Sequence, residues 1–146
     1  MSKEIEGFIT SHGYNADIHK QLEDIKARLD ALGFKEGVFT ATSSSGSSPT
    51  FMNDKNSITK IGKYAIGSFH LSYIGLNEDV ITIRVPDEFK PKTGSTFIAH
   101  KSNFLITGET KDEVFYGSIE DDGTITFTSD CVSWAMRLDN LGWEIE

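Results

Sequence analysis

Tyr64-Ala65-Ile66-Gly67-Ser68-Phe69-His70-Leu71-Ser72-Tyr73 is the stretch on which the fold turns. Large apolar side chains stand at Tyr64 and Ile66, and again at Phe69, Leu71 and Tyr73. Each set repeats every second residue, the period that sends successive side chains to opposite faces of a β-strand. The two sets are one residue out of phase, and Gly67 between them offers a bulge that would bring both onto one face.

The same period recurs downstream. Val80-Ile81-Thr82-Ile83-Arg84-Val85 is a β-branched run halted by Pro86. Thr96 to Ala99, Phe104 to Thr107 and Val114 to Ile119 follow, and Asp122-Gly123 joins the last of these to Thr124-Ile125-Thr126-Phe127 as a tight hairpin. Two more short strands fit Val132 to Leu138 and Trp143 to Ile145. Short strands with frequent turn signals and no helical period predict a mainly β fold, an antiparallel sandwich or barrel occupying residues 58–146.

Upstream of this head the character changes twice. Residues 36–57 contain Thr40 to Thr50, TATSSSGSSPT, a Ser/Thr/Gly run without apolar period, which reads as a linker or neck. From Ala16 to Leu32 the apolar residues Ile18, Leu22, Ile25, Leu29 and Leu32 are spaced by alternating steps of 4 and 3, the seam of a coiled coil. Asn15 is placed to cap this helix and Gly33 to stop it. With Leu22 and Leu29 at a and Ile18, Ile25 and Leu32 at d, the seam favours association beyond the dimer, and we expect a homotrimer. The alternative is an amphipathic helix packed on its own domain. Ile5, Phe8 and Ile9 are expected to form a short docking helix, separated from the seam by Gly13-Tyr14-Asn15, so that residues 1–35 make an attachment segment and stem.

The formal net charge of −8 is unevenly distributed: residues 112–146 carry nine acidic groups and one basic one, Arg137. Such a surface repels a polyphosphate backbone, and no nucleic-acid partner is expected. The single cysteine, Cys131, excludes an intrachain disulfide and a thiolate metal cluster. The polar start has neither the basic flank nor the apolar run of a signal peptide, and no stretch is apolar enough to span a bilayer, so synthesis in the cytoplasm without membrane insertion is expected. H-E-x-x-H, G-x-S-x-G and P-loop motifs are absent, and Asp121-Asp122 belongs to a turn, so neither an enzyme nor a cofactor is expected.

Two segments carry a resemblance. Val85-Pro86-Asp87-Glu88-Phe89-Lys90-Pro91 ends one strand, and Gly117-Ser118-Ile119-Glu120-Asp121-Asp122-Gly123-Thr124-Ile125 follows about thirty residues later. Together with the order helix, linker, β head, they resemble the receptor-binding proteins of phage tails and baseplates, in particular the lower-baseplate type of phages that infect Gram-positive bacteria. The likeness covers residues 66–146, and the neck departs from the family in being short and free of a β-prism repeat. The resemblance implies three chains joined by an N-terminal stem, β heads that bind host cell-wall saccharide without chemistry, and a second virion tail or baseplate protein gripping the N-terminal segment. A His in the strand after the Pro turn lies near the saccharide site of those proteins, and His100 holds that place here.

Sugars are gripped by aromatic faces and by planar polar side chains. Candidates of these types are His100, Asn103, Asp130, Trp134 and Arg137. Trp134 and Arg137 are three apart and fall on opposite faces of a regular strand. Core packing is the competing role for Trp134, and a salt bridge for Arg137. The functional expectation is an adhesion protein of a virion tail or baseplate; the alternatives are a structural fibre or decoration protein without a ligand, and a saccharide-cleaving tail enzyme.

Overall fold

The computed structural model describes residues 12–145. The chain divides into two units between Phe34 and Lys35. Among the described residues the first holds one helix, α1 (His12–Ala31). It starts earlier than its apolar seam requires, so Gly13, Tyr14 and Asn15 are helical rather than a break, and Asn15 is not its cap. Its end is a Schellman motif: Gly33 takes φ +71°, its N–H donates to Asp30 O at 3.0 Å, and Phe34 N–H donates to Leu29 O at 3.1 Å. Leu22, Ile25, Leu29 and Leu32 are exposed, and Ile18 is half-buried. The docking helix expected around Ile5, Phe8 and Ile9 lies outside the described residues.

The second unit is all β. In chain order its strands are β1 (Lys35–Gly37), β2 (Thr40–Ser43), β3 (Thr50–Ile61), β4 (Tyr64–Ile74), β5 (Val80–Arg84), β6 (Ser95–Phe104), β7 (Thr110–Ile119), β8 (Thr124–Thr128) and β9 (Ser133–Glu144), with one 3-10 turn at Asp87–Phe89. They form two antiparallel sheets, a larger one ordered β1-β3-β4-β9-β6-β7 and a smaller one ordered β2-β5-β8. Inward residues of both make one core, in which Phe69, Leu71 and Tyr73 of β4 meet Trp134, Met136 and Leu138 of β9, Phe97 and Ala99 of β6, and Ile81 and Ile83 of β5.

Several expectations change. Residues 36–57, read as a neck, carry β1, β2 and the start of β3, so the head begins at Lys35. The serine run lacks an apolar period because its work is polar. Asp79 is buried, and its carboxylate accepts from Ser44 Oγ at 2.6 Å, Ser45 N–H at 2.8 Å, Ser45 Oγ and Tyr73 OH. A buried carboxylate is tolerated only when its lone pairs are filled in this way.

The bulge expected at Gly67 sits instead on β9, where Asp139 and Asn140 oppose Ser68 alone and Asn140 takes φ +53°. β4 therefore keeps its parity, and Tyr64 and Ile66 point outward rather than joining Phe69. Gly67 faces inward because a Cβ there would lie 2.5 Å from Phe39 Cζ and 3.0 Å from Trp143 Cη2. Phe104 to Thr107 is the end of β6 and a turn, and the two final segments form the single strand β9. The Asp122-Gly123 turn is tight, with Glu120 N–H donating to Thr124 O at 2.8 Å, yet β7 pairs with β6 and β8 with β5, so the turn links two sheets.

The two segments behind the sequence resemblance touch. Val85 N–H donates to Gly123 O at 3.0 Å, and the 3-10 turn drops Phe89 into the core, where Trp143 Nε1 donates to Phe89 O at 2.7 Å.

Two expectations follow from this packing. Gly67→Ala should lower stability by about 1–3 kcal/mol through overpacking against Phe39, read from urea unfolding. Burial pushes the Asp79 carboxyl up, but the hydrogen bonds from Ser44, Ser45 and Tyr73 outweigh it and hold the group far below the usual carboxylate range. Stability from this site is therefore complete above the unfolded value of ~3.9 and is lost as pH falls below it. Asp79→Asn should be less stable than the parent at pH 7 and show a shallower loss between about pH 5 and pH 2.

Candidate binding site

Parity and register place three planar polar side chains abreast on the outer face of the larger sheet. His70 on β4 pairs with Arg137 on β9, and Arg137 pairs with His100 on β6. Neighbouring strands lie about 4.8 Å apart, so the three side chains form a continuous row. The adjacent row brings Thr50, Ser72, Ala135 and Ser102 alongside. His70, His100, Arg137 and these four residues line a pocket of about 410 Å³ with Met52, Leu71 and Met136.

Two irregularities shape it. Met52 to Lys55 bulge from β3 between the Phe51–Leu71 and Asn56–Phe69 pairs, and Met52 becomes a wall of the pocket. Asn56 then re-anchors the chain, accepting from Phe39 N–H at 2.8 Å and donating to Phe39 O at 2.9 Å. The bulge on β9 turns Asp139 toward the row: Arg137 Nε lies 3.0 Å from one carboxylate oxygen and His70 Nε2 3.9 Å from the other. At the far end Ser102 Oγ donates to Asp112 at 2.7 Å, while His100 Nε2 lies 3.4 Å from that hydroxyl and 3.8 Å from the carboxylate. Exposed pairs of this kind contribute little to stability. What they fix is orientation: each planar group of the row has a partner on one side and leaves other donor or acceptor atoms toward the pocket.

The sequence candidates divide between the two faces of the sheet. His100 and Arg137 belong to the outer row. Asn103 and Trp134 point inward and are buried, and Asp130, on the loop before β9, joins them through Lys101. The Lys101 side chain is 3% exposed, and its ammonium donates to Asn103 Oδ1, Glu113 Oε1 at 3.1 Å and Asp130 Oδ1 at 2.7 Å, 5.6 Å from the centre of the Trp134 ring. Trp134 stacks on Tyr73 with centroids 5.3 Å apart and donates from Nε1 to Ser129 Oγ at 2.8 Å. It is a core residue, so the pocket has no tryptophan face; its apolar surface comes from Met52 and Ala135. The hydrogen bond from Lys101 holds the Asp130 carboxyl below its ordinary range, against a smaller opposing effect of burial.

Sequence reading passed over His70 and Lys101. His70 occupies the polar phase of a strand with apolar residues on either side, which marks it as outward. Its adjacency to Arg137 required the β4–β9 register.

The pocket offers one guanidinium, two imidazoles, three hydroxyls and flanking carboxylates around a small aliphatic wall. That set suits a compact ligand rich in hydroxyl or other polar oxygen groups, and the volume is in the range of small-ligand sites, about 300–1,000 Å³. No protein-family model, curated protein or solved structure matches the chain.

The Lys101 cluster makes an asymmetric prediction. Removing both carboxylates, Glu113→Ala with Asp130→Ala, strands a buried ammonium and should cost about 3–5 kcal/mol. Lys101→Met removes the charge itself and leaves two carboxylates that water reaches, so it should cost markedly less. Urea unfolding of both variants at pH 7 reads the difference.

Proposed function

We propose that this chain is an adhesion protein of a phage tail or baseplate, and that several copies joined by their helices bind host cell-surface saccharide through the outer-face pocket. The observation that carries the reading is the row His70, Arg137, His100, held across three adjacent strands beside a run of hydroxyls. Planar side chains with paired donors and acceptors match the vicinal hydroxyls of a sugar, and an aliphatic wall matches its C–H surface.

Two further features support it. The segments that resemble phage receptor-binding proteins pack against each other as one unit of the head, through the Val85 to Gly123 hydrogen bond. The 4-3 seam of α1 leaves Leu22, Ile25, Leu29 and Leu32 exposed, and copies of itself would cover that seam. Leu at a and Ile at d shift such a seam toward trimers or tetramers, and the reading takes the trimer. Joining sites matters because a shallow pocket binds one sugar weakly, whereas linked sites gain on the order of 10²–10⁴ in avidity. Residues ahead of the seam are assigned to a virion partner.

The test has two arms. Full-length protein should scatter light as a trimer and adsorb to Gram-positive cells, and His70→Ala, His100→Ala and Arg137→Ala should each cut adsorption about ten-fold or more while leaving the melting temperature unchanged. Leu29→Glu should yield monomers whose heads melt normally and whose adsorption falls about 100-fold. Normal adsorption by all three pocket variants refutes the site. A parent protein that adsorbs to no cell-wall preparation belongs with structural fibre or decoration proteins, and one that releases reducing sugar from cell wall belongs with the enzymes.

A further inference from the structure

The pocket does not end at His100. Val114 on β7 is the direct cross-strand partner of His100, and Tyr116 is the partner of Ile98. All three apolar residues share the outer face with the row, and they are 56%, 76% and 65% exposed for Val114, Tyr116 and Ile98 respectively. A second hollow of about 230 Å³, lined by Ile98, His100, Val114, Arg137 and Asp139, shares His100 and Arg137 with the first. Beyond it, Ile98 and Tyr116 border a hollow of about 800 Å³ at the edge of β7, whose other walls include Phe97 and Phe115 of the inner face and Phe127 of β8. The first two hollows lie on opposite sides of the His100–Arg137 pair, so together they run as a trough diagonally across the sheet from Met52 to Tyr116 and share those two side chains as their common wall.

We infer that this trough binds a saccharide chain, taking one sugar in the polar pocket and the next against Ile98, Val114 and the Tyr116 ring. The inference rests on the saccharide reading of the pocket and adds the length of the ligand and its direction across the sheet. From β9 to β7 the trough covers two strand spacings, about 10 Å, the reach of a disaccharide. The polar groups His70, Arg137 and His100 give way to exposed Ile98, Val114 and Tyr116, so the surface offers hydrogen bonds to sugar hydroxyls at one end and a face for sugar C–H groups at the other. An extended peptide is a poorer occupant, since β9 and β6 spend their backbone groups on one another and on β4 and β7. Asp139 and His100 interrupt the apolar surface and disfavour an acyl chain. The remaining rival for these exposed apolar side chains is a second copy of the chain.

The experiment uses full-length protein and cell-wall polysaccharide from a Gram-positive strain to which it adsorbs, hydrolysed into fragments of one, two and four sugars, with affinities measured by calorimetry. Fragments of two or more sugars should bind at least ten-fold more tightly than single sugars. Val114→Ser with Tyr116→Ala should reduce them to the single-sugar level and leave single-sugar binding in place, whereas Arg137→Ala should weaken every fragment. Tyr116→Phe, which keeps the ring, should restore the gain. Equal affinity for one and many sugars, or no effect of the Val114/Tyr116 pair, overturns the trough while the single pocket stands. Binding of no fragment overturns both readings. A fall in scattering mass in the Val114/Tyr116 variant assigns the patch to a second copy and also overturns it.

Discussion

The head depends on the register that locks β4, β9 and β6 together. Side chains alternate strictly between faces, so a slip of one residue in β9 would turn Arg137 into the core and Trp134 or Met136 out of it. Several interactions resist such a slip from the inside. Trp134 stacks on Tyr73 of β4, Lys101 of β6 reaches Glu113 and Asp130, and Trp143 hydrogen-bonds Phe89 beyond the end of the sheet. None of these groups belongs to the outer pocket, yet together they align His70, Arg137 and His100.

Two buried charges contribute to this alignment. Asp79 and Lys101 both lie near the Tyr73–Trp134 stack, one satisfied by serine hydroxyls, a backbone amide and a phenol, the other by carboxylates and an amide. Well-packed apolar residues in place of buried charges often match their stability at lower desolvation cost. What apolar residues lack is direction: an ammonium with three acceptors on β6, β7 and the loop before β9 admits one arrangement of those elements, and a carboxylate with four donors does the same for the turn after β2, β4 and the turn between β4 and β5. In both cases the polar group ties a loop to the end of a strand, where side-chain packing alone specifies position least.

Much of the fold was legible in the residues because two-fold periodicity is a local signal. Val80 to Val85 and Val114 to Ile119 announce themselves as strands without knowledge of their partners. The Ser/Thr run was misread because its function is non-local: Ser44 and Ser45 are ordered by Asp79, thirty-five and thirty-four residues away. Gly67 misled in a similar way, its role being set by the ring of Phe39 in the link between β1 and β2. For the site, side-chain type was readable and adjacency was not. His100 and Arg137 were nameable from chemistry and resemblance, Trp134 was drawn inward by a core that no single segment reveals, and His70 acquired meaning only from a register spanning some sixty-seven residues.

Placing a site on a sheet face rather than on loops has a physical consequence for how it binds. Arg137 and His100 stand on backbone paired on both sides and His70 on backbone paired with β9, so little conformational entropy is lost when a ligand is seated, and little closure around the ligand is available. The pocket is consequently open and shallow, and its affinity for one sugar must come from a few oriented hydrogen bonds made in competition with water. Affinity is then gained in two ways that leave the sheet unchanged: lengthening the contact along the face, for which the apolar side chains of β6 and β7 are placed, and multiplying the face, for which the exposed seam of α1 is placed. Both require the outer surface to remain uncovered by the chain's own loops: short turns join β3 to β4 and β6 to β7, the Met52 to Lys55 bulge stays at the pocket's rim, and the longer connection from β5 to β6 sends Phe89 into the core.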